Sequence, residues 1–166
     1  MSSFRLLTVF ATGVLLAACG FEPLYGSRGP AAVVTQFAYV QVAPIEDRVG
    51  QQLRNELVHK LYAAGRARVP KFRLVTRVNE STTSLAVQKN ALATRANLIM
   101  SATYQLIDTA NGRILDSATN SVTVSYNILD SEFATKMAER DAKERAVKAL
   151  SEDMRIRLAV YFRRPK

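Results

Sequence analysis

Residues 92–107 read LATRANLIMSATYQLI, and their alternation decides the fold. Leu92, Ala96, Leu98, Met100, Ala102, Tyr104 and Leu106 fall on one side of an extended chain. Arg95, Asn97, Ser101, Thr103 and Gln105 fall on the other, with Ile99 and Ile107 as apolar exceptions. Successive side chains of a strand point to opposite faces, so an alternation this long predicts a strand with one face buried and one open. Asn111-Gly112 turns the chain into a second long strand, Arg113 to about Asn127. Its inward set is Ile114, Ala118, Val122, Val124 and Tyr126, and its outward set is rich in Ser and Thr. Parity constrains the connection. A two-residue loop would set Met100 opposite Thr123, so matching the apolar faces predicts a loop of three or five residues, with Gly112 at positive φ in a bulge.

After Asp130-Ser131 the spacing becomes helical. Ala134, Ala138, Ala142, Ala146, Leu150, Met154, Leu158 and Phe162 recur every fourth residue, a stripe whose small early members permit close approach to a sheet. On the N-terminal side, Phe72–Asn79 predicts a strand, followed by a polar Ser/Thr stretch (80–84), a short run 85–88 and a turn at Lys89-Asn90. Asp47 to about Ala64 predicts a helix with Asp47 as N-cap, Gly65 at its C-terminal end, and a stripe of Val49, Leu53, Leu57, Val58, Leu61 and Tyr62. Phe37–Val42 predicts a short strand stopped by Pro44. The order is β-α-β-β-β-α. This gives an α/β (α+β) two-layer sandwich, an approximately four-stranded mixed sheet with two helices on one face.

The N-terminus carries a different signal. Arg5 precedes an apolar run, Leu6–Leu16, which is shorter than the roughly 20 residues a spanning helix needs and has the length of an export-signal core. It ends in Leu16-Ala17-Ala18-Cys19-Gly20, which resembles a bacterial lipobox, and Cys19 is the only cysteine of 166 residues. The expectation is an export signal over 1–18, a lipidated tether over 19–36 and a single periplasm-facing domain over 37–166. Cys19 would carry a covalent lipid that anchors the chain to a membrane. No other cofactor is indicated. Gly20 in place of Asp favours the outer membrane by resemblance to enteric sorting signals.

Removing residues 1–18 leaves 148 residues and lowers the formal charge from +9 to +8, since Arg5 is the only charged residue lost. Export removes nucleic acid as a partner for this surplus and leaves lipopolysaccharide phosphates, anionic lipids and wall polymers. Catalytic constellations are missing from the pattern. The single histidine, His59, falls on the flank of the first helix stripe, and the single cysteine is committed to lipid. Acidic and basic residues interleave along 136–155 as on a solvated helix. The reading is not an enzyme. The sheet face opposite the helices would carry Arg73, Arg77 and Arg95 among hydroxyls and amides, groups suited to phosphate and sugar as well as to water.

The segment Cys19-Gly20-Phe21-Glu22-Pro23-Leu24-Tyr25-Gly26 resembles the start of the lipopolysaccharide-assembly lipoprotein family, LptE, in its alphaproteobacterial form, and the element order agrees. That resemblance implies a plug for the large outer-membrane barrel LptD and binding of lipopolysaccharide on its way to the outer leaflet. It also implies ligand contacts at Lys89, in a basic-Asn turn before the long strand, and at Lys136 near the start of the last helix. Ala91 stands where the family pattern has Gly. The alternative from another class is a structural or regulatory lipoprotein acting on the cell wall, such as a peptidoglycan synthase activator.

Overall fold

In the computed structural model the described residues are 30–85 and 95–164. Their order is α1 (Pro30–Phe37), β1 (Val40–Val42), α2 (Asp47–Leu61), β2 (Phe72–Leu85), β3 (Arg95–Asp108), β4 (Ile114–Asn127) and α3 (Glu132–Arg163). The sheet order is β1-β2-β3-β4, with β1 parallel to β2 and the remaining pairs antiparallel. This is the expected mixed four-stranded α+β sheet.

The periodicities explain the layers. Leu98, Met100, Ala102, Tyr104 and Leu106 are fully buried on the even side of β3, in one core with Leu53, Leu57 and Leu61 of α2 and Ala142, Ala146, Leu150, Met154 and Leu158 of α3. The alanines bring α3 close to β4, its most extensive contact, while α2 lies over β1 and β2 and against α3. Ser131 starts α3 as its N-cap, its side chain accepting from the Ala134 amide.

Four expectations change. Pro30–Phe37, read as the end of an irregular tether with Phe37 opening a strand, is a helix. Proline is well tolerated in a first helical turn, where its missing N–H has no intrahelical partner. Phe37 is then freed to meet the Phe162 ring at 6.0 Å, and the sandwich gains a third, short helix. Second, β2 continues through the Ser/Thr stretch to Leu85, paired residue for residue with β3 down to Arg95. Pairing with a committed partner strand overrides a polar local composition, and threonine suits an extended chain.

Third, α2 begins after Glu46, which supplies no side-chain cap, and Asp47 takes φ 66°. The helix ends at Leu61, and Gly65, at φ 100°, closes the following turn by donating to the Tyr62 carbonyl. Fourth, five residues (109–113) separate the strands and Gly112 takes φ 71° as expected, but the Asp108 amide closes on the Arg113 carbonyl and the bulge lies in β4, not at Gly112. Met100 still faces Val122, because a register shift between Leu106 and Ile107 leaves Leu115 unpaired in β4 and restores the parity. The bulge also exchanges two side chains. Leu115 packs against the core, and Ile114, expected inward, is 56% exposed.

Candidate functional site

The open face of the sheet is built by the odd-numbered residues. Register places Arg73 beside Ile107, Arg77 beside Thr103, and Arg95 beside Leu85 and Asn127. All three arginines are exposed on that face, as expected, and none forms an ion pair among the described residues. Arg73 and Arg77 are four residues apart, about 13 Å along the strand, whereas Arg95 lies beside a position eight residues beyond Arg77, about 27 Å away. The structure therefore brings Arg73 and Arg77 together and sets Arg95 at the opposite end. Between them the surface is hydroxyl and amide. Thr103 and Thr119 share a hydrogen bond of 2.9 Å, and the Ser125 hydroxyl donates to Asn97 Oδ1 at 2.7 Å. Side-chain pairs of this kind align donors and acceptors across strands without closing the face to a ligand or a polar wall.

Lys136 is exposed on the helical side of the molecule, so it cannot act from the same surface as the three arginines. It lines a groove of about 620 Å³ between the start of α2, the middle of β2 (Val78–Glu80) and the first turns of α3. Gly50 shapes one wall, since a Cβ there would meet Ile45 Cγ2 at 2.6 Å. Lys143 bridges the groove, 3.0 Å from Glu80 and 3.1 Å from Glu139. Burial works against the charge of this ammonium, but the bonds to Glu80 and Glu139 outweigh it and hold its pKa above the usual lysine range. Lys136 has no such partner among the described residues and remains available to an anion. Sequence reading missed this groove, because its walls come from three separated segments whose only local signal was the Lys136 carry-over. Cys19 and Lys89 lie outside the described residues.

Chemistry is sparse elsewhere. His59 is exposed on α2. Tyr104 is buried and donates to Asp116 Oδ2 at 2.9 Å. Burial first, and then that bond, raises its phenol pKa above the ordinary range. Among the described residues no helix is long and apolar enough to cross a membrane.

Several solved structures share the fold. A crystal structure of a lipoprotein of Caulobacter crescentus CB15 is 24% identical, covers 81% of this chain and 98% of its own, and superposes with a TM-score of 0.66. A minor lipoprotein of Acinetobacter baumannii is 16% identical over 75% of this chain and 94% of its own (TM-score 0.55). Lipoprotein B of Nitrosomonas europaea is 17% identical over 74% and 82% (TM-score 0.54). No curated protein matches the chain in sequence. The LptE family, described as lipopolysaccharide assembly, matches residues 37–158, which takes in all four strands, α2 and most of α3. The chain belongs to the LptE lipopolysaccharide-assembly family.

Proposed function

We propose that this chain is an outer-membrane lipoprotein, anchored through a lipid on Cys19, that plugs and helps assemble an LptD-type β-barrel and engages lipopolysaccharide bound for the outer leaflet. The observation that carries this reading is the family match over residues 37–158. The open sheet face supports it physically. The lumen of a large barrel is polar, and a face of hydroxyls, amides and arginines exchanges hydrogen bonds with such a wall at little desolvation cost. The chain then works by binding, with no catalytic step. Lys89, Lys136, Arg73, Arg77 and Arg95 serve the ligand, Lys136 from the helical side and the Arg73–Arg77 pair and Arg95 as two separate basic points on the open face.

Affinity purification of the C-terminally tagged chain from mildly solubilised outer membranes tests the reading. A near-stoichiometric large barrel is the expected result. Recovery of a peptidoglycan synthase, or of no barrel under several detergents, would overturn it. Ligand contact is tested separately: Lys89→Glu and Lys136→Glu should weaken lipopolysaccharide binding while circular dichroism stays unchanged. Equal affinity in both variants would remove these lysines from the site.

A further inference from the structure

One end of the sandwich gathers six cations that lack carboxylate partners among the described residues. At this end, distant from Lys136, the loop between α2 and β2 carries Arg66, Arg68 and Lys71 around Val69, which is 74% exposed. The loop is pinned to the fold. Ala67 donates its amide to the Ala38 carbonyl, and Thr109 of the hairpin turn donates its amide to the Lys71 carbonyl. The same turn brings Arg113, and the Phe72–Phe162 ring contact at 5.2 Å brings the end of α3 with Arg163 and Arg164. All six cations are exposed and none has an ion-pair partner among the described residues. Arg66 and Lys71 lie over the Tyr62 and Tyr39 rings, at 5.5 and 4.6 Å, neutral partners that leave the charge uncancelled. The nearby carboxylates, Asp108 and Asp116, are engaged locally by the Ala110 amide and the Tyr104 hydroxyl. By contrast, Lys60, Arg140, Lys143, Arg145 and Arg155 all hold carboxylates.

We infer that this end is a docking surface for the anionic headgroups of a phospholipid bilayer. The position of the N-terminus selects this occupant. Residues 19–29 lead from Cys19 into α1, whose Phe37 packs on Phe162 at this same end. Eleven residues reach no further than about 40 Å even fully extended. Resting on the Cys19 lipid anchor proposed above, a tether of this length joined at this end brings the six cations within reach of the membrane surface. Arginine and lysine close to an anionic surface each strengthen attachment about fivefold, and Val69 can enter the interface between them. The basic end, added to the lipid anchor, then fixes an orientation that a flexible tether alone would leave free.

Binding of residues 19–166 bearing Cys19→Ser to vesicles, measured by co-flotation, tests this without the lipid anchor or any barrel, so failure of the barrel reading leaves it intact. The chain should bind equimolar phosphatidylcholine–phosphatidylglycerol vesicles, release in high salt, and ignore pure phosphatidylcholine. The triple variant Arg66→Gln/Arg68→Gln/Lys71→Gln should bind on the order of a hundredfold more weakly. Arg145→Gln, at a cation already held by Asp141, should bind as the parent does. Unchanged binding of the triple variant would overturn the inference. So would binding to soluble polyphosphate as strong as to the vesicles, which would make the surface a general anion site.

Discussion

Residues 96–106 of β3 face two environments at every second position. On the even side, all six residues from Ala96 to Leu106 are buried beneath the helical layer, and size and shape decide what fits. On the odd side, Asn97, Ser101, Thr103 and Gln105 meet water or a partner, and only polarity and strand propensity are constrained. The same backbone thus carries stability on one face and recognition on the other. The covered face is not purely apolar, however: Thr76 and Asn120 are buried there, each with a side-chain oxygen lacking a partner among the described residues.

Substitutions that move residues between these regimes test the division, and the largest effect is expected in the core. Met100→Ala should cost about 2–5 kcal/mol, read from the midpoint of urea unfolding. A loss below about 1 kcal/mol would mean that α3 does not press on the sheet as described. Tyr104→Phe should cost about 1.5–3 kcal/mol, because the partly buried Asp116 carboxylate loses its donor. The wild type should also lose stability as the pH rises above 10.0. The folded phenol, its pKa raised by burial and the Asp116 bond, stays protonated where the unfolded one ionises. The Phe variant should lack that component, so equal alkaline unfolding of the two proteins would show that Tyr104 does not carry it.

Thr76→Val asks whether polarity on the covered face is tolerated or needed. Replacing the unpartnered hydroxyl with a methyl of similar shape should raise stability by about 1 kcal/mol, and a fall of that size would reveal a hydrogen bond formed in solution. The smallest effects belong to the open face. Thr103→Ala should cost about 0.2–1 kcal/mol through the lost Thr119 pair, and Arg77→Gln should stay within about 0.5 kcal/mol. If Arg77→Gln matched the cost of Met100→Ala, the open face would be part of the folding core, and the assignment of recognition to it would fail.

The arginines of the open face were legible because period two places them there whichever residues their neighbours pair with. The Lys136 groove was not, since α2, β2 and α3 meet only after the sheet has formed. The inward and outward sets of β3, the stripes of α2 and α3 and the matched hairpin parity all follow from periodicity, because burying apolar side chains requires one consistent face per element. Tertiary structure decided the rest. It extended β2 through Ser81–Ser84, since a paired partner strand outweighs local polarity, and it folded Pro30–Phe37 into a helix because Phe37 finds Phe162. It put the parity-restoring extra residue in a β4 bulge instead of the loop, which turns Leu115 inward and Ile114 out. In the first two cases the deciding contact joins separate segments of the chain, and in the third it is a choice of register within one hairpin; no local pattern records which of several acceptable conformations is rewarded.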